Sequence, residues 1–146
     1  MSFTDRELFA RMLKCEAEGE GDTGMRAVAT IIMNRVNVST GEYQRVCQGD
    51  IRQVLLQEGQ FDCAREVVGG RTNPRTIYSL TPDQVQYDIV DWALGGGILN
   101  AVGDCLWYLN PFKPSCSQNF PGESGVFHTR IGNHCFYRPT PYYDNT

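Results

Sequence analysis

The sequence predicts an α+β fold, with N-terminal helices followed by a small antiparallel sheet. Apolar residues in roughly the first two thirds of the chain recur at helical spacing. The last third instead contains short aromatic segments bounded by turn residues, which is typical of strands. The length of 146 residues suits a single domain. We expect this domain to span residues 1–146, with its core at about 5–138.

The first predicted helix begins at Asp5, because Thr4 and Glu7 form a capping box in front of an apolar run. We expect it to end at the glycine-rich turn over residues 19–21. The apolar residues of the helix fall on one stripe, which consists of Leu8, Phe9, Met12 and Leu13.

Glu16 extends this apolar stripe, because it follows Met12 by four residues. Burial disfavours a charged carboxylate and raises its pKa, which suits a general acid. A carboxylate near a helix end also commonly reaches solvent or forms a structural ion pair, here with Arg35. On spacing alone, both interpretations of Glu16 stay open.

A second helix is predicted from Asp22 or Thr23, as N-cap, to about Val36. Apolar residues cover most of its surface, which is typical of a helix at the centre of a core. Arg35 is a polar exception near its C-terminal end. This side chain either complements the helix dipole or binds a carboxylate or a substrate oxygen.

Residues 37–50 are predicted to be irregular, because serine, threonine and glycine residues interrupt them. Asp50 then caps a short helix over residues 51–57. Phe61 is the large apolar residue of the turn that follows. It is either a core residue or part of the wall of a cleft.

Residues 66–79 are predicted to form a loop, because they contain Gly-Gly and Asn-Pro pairs. Thr81 is the predicted N-cap of the next helix, with a proline at its first position and Gln84 closing a capping box. The three glycines at 95–97 end this helix.

The last third of the chain is predicted to be mostly β-structure and loop. Its strands are residues 105–109, 126–131 and 134–138. Gly132-Asn133 suits a type II′ hairpin turn between the last two strands. Strand alternation puts Trp107 and Tyr108 on opposite faces, with Trp107 in the core. The tail, residues 139–146, is expected to be poorly packed.

The net charge of −4 argues against nucleic acid or an anionic membrane as the main partner. Phosphate-loop, nucleophile-elbow and HExxH motifs are absent from the sequence, so we predict no cofactor and no metal. Arg6, Glu7 and Arg11 interrupt the start of the chain, which therefore lacks the pattern of a signal peptide. No apolar stretch is long enough to span a bilayer. The sequence thus predicts synthesis in the cytoplasm.

The sequence contains six cysteines and no CxxC pair, which is evidence against a structural zinc site. Without a signal peptide we expect mostly reduced cysteines, although fifteen disulfide connectivities remain open. A nucleophile formed by Cys15 or Cys135 with His134 is not excluded, because such partners meet only in the folded chain.

The segment Cys15-Glu16-Ala17-Glu18-Gly19-Glu20 resembles the "GEARGE" segment of the SleB/CwlJ-type cell-wall hydrolases. These are the spore-cortex-lytic enzymes of endospore-forming bacteria. Four further segments resemble motifs of that family in the same order: residues 24–36, 57–61, 106–111 and 131–137. The short chain and its C-terminal segment resemble the CwlJ branch more closely than the SleB branch.

This resemblance implies a compact lysozyme-like domain that binds a peptidoglycan glycan strand in a cleft. It implies cleavage between N-acetylmuramic acid and N-acetylglucosamine by a lytic transglycosylase or muramidase, with Glu16 as the catalytic acid. A lytic transglycosylase can work with one carboxylate, whereas ordinary glycosidases need two. The candidates for substrate binding are Glu20, Arg35, Phe61, Tyr108, Asn110 and His134.

The resemblance also implies action on the spore cortex during germination, in the coat and cortex region, and suggests a spore-coat protein as partner. The sequence departs from the family pattern at Glu18, Glu58 and residues 111–125, so substrate preference stays open. Two other interpretations remain. One is a non-catalytic wall-binding or spore-coat structural protein, and the other is a phage lysis enzyme with the same chemistry.

Overall fold

The computed structural model of the protein describes residues 2–146 and confirms the α+β class. Its α-helices are α1 (Asp5–Ala17), α2 (Gly21–Asn37), α3 (Gly41–Cys47), α4 (Ile51–Leu56) and α5 (Gln84–Leu94). Its strands are β1 (Val67–Val68), β2 (Arg71–Thr72), β3 (Trp107–Leu109), β4 (Gly125–Ile131) and β5 (His134–Pro139). No helix in this described part of the chain has the length and apolarity needed to cross a membrane.

The start of α1 is confirmed, because the Thr4 side chain accepts a hydrogen bond of 3.1 Å from the backbone N–H of Glu7. The helix ends at Ala17, and a single 3₁₀ turn over Glu18–Glu20 leads directly into α2. Gly21, at this junction, has a φ of 76°, a conformation that glycine adopts readily. The predicted glycine turn is therefore only one turn of 3₁₀ helix.

Helix α2 lies at the centre of the core, as its apolar surface predicts. It packs against α1, α3, α4 and α5. Its buried residues come from all sides of the helix and include Met25, Ala27, Val28, Ala29, Ile31 and Ile32. The buried Arg35 is carried by its last turn, so α2 joins the core to the candidate site.

The prediction of an irregular segment over 37–50 is wrong for α3. Only Tyr43 and Cys47 of this helix are buried, one turn apart. A seven-residue helix with two buried positions produces no clear periodicity, which explains the error. The short α4 is confirmed, since the Asp50 side chain accepts a 2.9 Å hydrogen bond from the N–H of Arg52.

The predicted N-cap of α5 is two residues too early. Asp83, not Thr81, caps the helix, and Gln86 completes the capping box by accepting a 2.7 Å hydrogen bond from the Asp83 N–H. Gln86 is fully buried, so packing selects this register over the one that starts at Thr81. The predicted loop over 66–79 also contains the short hairpin of β1 and β2.

The remaining three strands form an antiparallel sheet in the order β3-β5-β4. Gly132 has a φ of 55°, the positive value that a type II′ turn requires at its first central position, so the β4–β5 hairpin is confirmed. Trp107 pairs with Tyr137 and is buried, as predicted.

The prediction that residues 139–146 are poorly packed is wrong at Tyr143, the buried residue of this tail. Tyr143 is only 2% exposed, and its ring meets Trp107 edge-on at 5.4 Å between centroids. Its hydroxyl accepts a 3.1 Å hydrogen bond from the N–H of Tyr43. The aromatic ring therefore holds the tail against α3 and β3.

Two disulfides contradict the prediction of mostly reduced cysteines. Cys15 bonds to Cys63 and Cys116 bonds to Cys135, at sequence separations of 48 and 19 residues. Cys47 and Cys105 are free and buried. The paired cysteines meet only through the fold, which spacing along the chain does not reveal. Since Cys15 and Cys135 are both oxidised, neither is available as a nucleophile.

Candidate active site

The Glu16 carboxyl lies between an aromatic hydroxyl and a disulfide. Glu16 is in the last turn of α1, and its Oε1 accepts a 2.9 Å hydrogen bond from the hydroxyl of Tyr108 on β3. Its Oε2 lies 3.0 Å from Sγ of Cys63. A sulfur in a disulfide carries no hydrogen, so this second contact is not a hydrogen bond.

Burial raises the pKa of Glu16 above its ordinary value, because the charged form is poorly solvated. The hydrogen bond from Tyr108 opposes this effect, the negative charge of Asp62 adds to it, and the positive charge of Arg35 also opposes it. The raised pKa favours the protonated carboxyl. Such a group is suited to donate a proton.

Tyr108 is held as a hydrogen-bond donor. Burial raises its pKa well above the usual value, and the nearby charge of Glu16 raises it further. Its ring meets that of His134 edge-on, with 5.0 Å between the centroids. The phenol therefore keeps its proton and presents it to Glu16.

His134 is the first residue of β5 and is buried. Burial lowers the pKa of His134; the charge of Glu20 opposes the shift and that of Arg130 adds to it. Its Nδ1 lies 3.9 Å from Oε1 of Glu20 and has no hydrogen-bond partner within residues 2–146. The imidazole is therefore favoured in its neutral form beside Tyr108.

Both Glu20 carboxylate oxygens bind the β4–β5 turn. Oε1 accepts from the backbone N–H of Asn133 and Oε2 from its side-chain amide, each at 2.9 Å. Burial alone would raise the pKa of Glu20, but these two hydrogen bonds lower it overall. Gly132 permits the approach, because a Cβ there would lie 2.7 Å from Oε1. The geometry favours a role for Glu20 in holding the turn.

Arg35 is 4% exposed, and its Nε donates a 2.8 Å hydrogen bond to the carbonyl of Leu106. The guanidinium lies 4.7 Å from the ring centroid of Tyr43 and 5.2 Å from that of Phe61. Arg35 forms these cation–π contacts instead of the ion pair with Glu16 that the sequence left open. Phe61 is buried beneath the guanidinium.

A cavity of about 300 Å³ opens beside Arg35 and Tyr43. Its lining includes Arg35, Tyr43, Gln60, Trp107 and Tyr108. Tyr108 both lines the cavity and donates its hydroxyl to Glu16, whereas Glu16 itself is not a lining residue. Gln60 accepts hydrogen bonds from the hydroxyl of Tyr43 at 2.8 Å and from Arg35 at 3.5 Å.

Asn110 follows β3 and uses its side chain locally. Its Oδ1 accepts a 2.7 Å hydrogen bond from the N–H of Phe112, which fixes the turn after the strand. Among residues 2–146, no group of three or more histidine, cysteine, aspartate or glutamate side chains is arranged to hold a metal ion.

The chain matches a family model described as Cell Wall Hydrolase over residues 19–137. This match covers well over half of its length. The chain belongs to the Cell Wall Hydrolase family. Within that family it is of the SleB/CwlJ type, as the sequence motifs indicated.

Relatives within the Cell Wall Hydrolase family cover nearly the whole chain. The chain is 29% identical to Cell wall hydrolase CwlJ of Bacillus subtilis (strain 168), over 93% of this chain and 86% of that protein. It is 28% identical to Cell wall hydrolase CwlJ of Halalkalibacterium halodurans, with coverage of 93% and 86%.

Solved structures show the same fold. The catalytic domain of the germination-specific lytic transglycosylase SleB from Bacillus anthracis superimposes with a TM-score of 0.65 at 25% identity, covering 94% of this chain and 97% of that one. The catalytic domain of the Bacillus cereus SleB protein gives a TM-score of 0.61 at 25% identity, with coverage of 94% and 93%.

The fold brings four of the predicted site residues together. Tyr108 contacts both Glu16 and His134, and His134 in turn lies next to Glu20. The guanidinium of Arg35 lies over the ring of Phe61, and Arg35 lines the same cavity as Tyr108. Sequence reasoning missed three contributors, which are Cys63, Asp62 and Gln60. Gln60 and Asp62 are the immediate neighbours of Phe61, and Gln60 belongs to the segment 57–61 that resembles a family motif. That motif was the signal in the sequence for Gln60, whereas Asp62 lies just outside it. The match to the Cell Wall Hydrolase model begins three residues after Glu16, so the role of this residue depends on its geometry.

Proposed function

We propose that this protein cleaves peptidoglycan between N-acetylmuramic acid and N-acetylglucosamine, with Glu16 as the catalytic acid. The single observation that carries the proposal is the Glu16 carboxyl, whose burial raises its pKa while Tyr108 holds its Oε1. Membership of the Cell Wall Hydrolase family supports the substrate class. The CwlJ relatives and the germination-specific SleB enzyme support the spore cortex as its place of action during germination.

The reaction begins with protonation of the glycosidic oxygen by Glu16. Tyr108 binds Oε1, so Oε2 carries the proton that is transferred. The bond from the anomeric carbon to this oxygen breaks as the ring gains oxocarbenium character, and the N-acetylglucosamine unit leaves with a new hydroxyl group. Glu16 is then a carboxylate that can act as a base.

In the lytic transglycosylase mechanism, Glu16 next accepts the proton of the C6 hydroxyl of N-acetylmuramic acid. The C6 oxygen attacks the anomeric carbon and closes a 1,6-anhydro ring. This step returns the proton to Glu16, and no second carboxylate is needed. The scheme agrees with the engagement of both Glu20 oxygens by Asn133.

In the muramidase mechanism, water attacks the anomeric carbon and a second carboxylate activates it. Asp62 is the best candidate for that carboxylate, because its charge acts on Glu16 and its side chain is largely exposed. If water is the nucleophile, we therefore expect Asp62 to activate it.

The cavity beside Tyr108 is the proposed path of the glycan strand. Its aromatic wall suits stacking on sugar rings, and Arg35 and Gln60 supply polar groups to hydroxyl or N-acetyl substituents. The buried Phe61 supports Arg35 from below. Asn110 and His134 remain proposed substrate contacts. A spore-coat protein partner also remains a prediction.

The test uses purified spore cortex and mass spectrometry of the released muropeptides. Wild-type protein is expected to release fragments, whereas Glu16→Gln is expected to lose about 10²–10⁴-fold in rate with its fold intact. Products ending in 1,6-anhydromuramic acid establish the transglycosylase mechanism, and reducing muramic ends establish hydrolysis. Folded wild-type protein that binds cortex without cleaving it would contradict the proposal.

Glu18→Gln is the matched control. Glu18 is two residues from Glu16, exposes 39% of its side chain, and forms a 2.9 Å ion pair with Lys14. It undergoes the same replacement of a carboxyl by an amide as Glu16. This variant is expected to release the same products as wild type.

A further inference from the structure

The Cys15–Cys63 disulfide lies directly against the acid of the proposed reaction. Cys15 immediately precedes Glu16 in the last turn of α1, and Cys63 belongs to the 3₁₀ turn Asp62–Ala64. Sγ of Cys63 is 3.0 Å from Oε2 of Glu16. The cross-link therefore fixes both the backbone beside the acid and the surface that its free oxygen faces.

We propose that Cys15 and Cys63 are positioning residues for Glu16, and that opening their disulfide with a dithiol reductant inactivates the acid. The proposal rests on the function proposed above. In the oxidised protein the sulfur facing Oε2 has no hydrogen to donate. Tyr108 occupies Oε1, so Oε2 stays available to carry the catalytic proton.

Reduction leaves Cys63 close to Glu16, because other contacts hold its segment. The N–H of Ile77 donates a 3.0 Å hydrogen bond to the carbonyl of Cys63. The side-chain amide of Asn73 donates to the carbonyls of Asp62 and Arg65, each at 3.1 Å. A newly formed Cys63 thiol would thus remain within reach of Oε2.

The redox step consumes one dithiol per disulfide. A thiolate of the reductant attacks Sγ of Cys15, the less buried of the two cysteines, and the sulfur–sulfur bond breaks. Cys63 leaves as a thiolate and takes up a proton. The second thiol of the reductant then displaces Cys15, so two electrons and two protons reach the protein and the reductant becomes a disulfide.

The Cys63 thiol changes the balance at Glu16, because an S–H donor stabilises the carboxylate over the protonated carboxyl. The other groups that act on Glu16 stay in place: the Tyr108 hydroxyl, the Asp62 carboxylate and the Arg35 guanidinium. Opening the cross-link also loosens the last turn of α1. Both effects reduce the population of correctly placed, protonated Glu16.

The test compares wild type with three double variants, before and after treatment with dithiothreitol. Cys116→Ala/Cys135→Ala removes the other disulfide and is the matched control for general effects of reduction. Cys15→Ala/Cys63→Ala removes the cross-link without adding a donor. Cys15→Ala/Cys63→Ser removes it and leaves a hydroxyl donor facing Oε2. Alkylation followed by mass spectrometry reports which cysteines are open.

Reduction is expected to lower the kcat of wild type about tenfold at neutral pH, within the usual contribution of a general acid. Reoxidation should restore it. Cys116→Ala/Cys135→Ala should respond to the dithiol as wild type does. Cys15→Ala/Cys63→Ala should be insensitive to the dithiol, and Cys15→Ala/Cys63→Ser should be slower than this alanine pair.

A second measurement separates this inference from the proposed function. The pKa of Glu16, followed by carbon-13 NMR of its carboxyl, should fall when the protein is reduced, whether or not cortex is cleaved. Failure of the oxidised protein to cleave would contradict only the proposed function. An open Cys15–Cys63 pair with unchanged Glu16 pKa, kcat and pH profile would overturn the inference.

Discussion

Glu16 and Glu20 lie four residues apart, yet the protein shifts the pKa values of their carboxyls in opposite directions. Burial dominates at Glu16, where the Tyr108 hydroxyl donates a hydrogen bond to the carboxyl. At Glu20 burial is outweighed by two hydrogen bonds from Asn133. Over four residues at the junction of α1 and the 3₁₀ turn, the protein thus favours the protonated form of Glu16 and the charged form of Glu20.

Glu16→Gln should stabilise the protein at neutral pH. The folded pKa of Glu16 is raised, so the stability of wild type falls as the pH rises from the ordinary value of about 4.3 through the folded value. The melting temperature of the variant should therefore exceed that of wild type near pH 7, and the difference should vanish below about pH 4. A difference that does not depend on pH would contradict this explanation.

Glu20→Gln should have the opposite effect. The folded pKa of Glu20 is lowered, so its stabilisation is complete above the ordinary value of about 4.3 and is lost as the pH falls through the folded value. We expect the variant to lose about 1–2 kcal/mol of unfolding free energy at neutral pH. Denaturant titrations at several pH values measure this loss.

Asn133→Ala provides the partner variant for Glu20. Asn133→Ala removes the side-chain amide that donates to Oε2 of Glu20, and the backbone N–H that donates to Oε1 stays. A double-mutant cycle should show that the losses from Glu20→Gln and Asn133→Ala are not fully additive, because both disrupt the side-chain hydrogen bond. A raised KM for Glu20→Gln with unchanged stability would instead identify Glu20 as a substrate ligand.

Much of the fold was predictable because its signals are local. Thr4 and Asp50 mark the starts of α1 and α4, because each side chain accepts a hydrogen bond from a backbone N–H no more than three residues further along the chain. The positive φ of Gly132 is a property that glycine itself allows. The errors occurred where packing decides the structure. Gln86 moves the start of α5 by being buried, and Tyr143 orders the tail by filling space against Trp107.

The candidate site was predictable only in part, for the same reason. The position of Glu16 on the apolar face follows from the periodicity of α1. Its contact with Tyr108 joins residues 92 positions apart, and its contact with Cys63 joins residues 47 positions apart. No spacing rule connects such residues, so the disulfide and the hydrogen bond at the acid became visible only in the folded chain.

Asp62→Asn should lower the pH above which activity falls. The negative charge of Asp62 raises the pKa of Glu16, so removing this charge lowers that pKa. The pH profile of kcat/KM for the free enzyme measures the shift. Asp22→Asn removes the same negative charge at the exposed start of α2 and should leave the pH profile unchanged. Loss of activity at every pH would instead identify Asp62 as a second catalytic carboxylate.

Tyr108→Phe should move the same pH profile in the opposite direction. The Tyr108 hydroxyl stabilises the Glu16 carboxylate, so its removal raises the pKa of Glu16 further. The kcat should nevertheless fall about tenfold to a hundredfold, because Oε1 loses the contact that orients the carboxyl. Tyr142→Phe removes the hydroxyl of an exposed tyrosine and should behave as wild type. If Tyr108→Phe keeps the wild-type kcat and pH profile, the hydroxyl does not orient Glu16, and packing against Cys63 alone must place the acid.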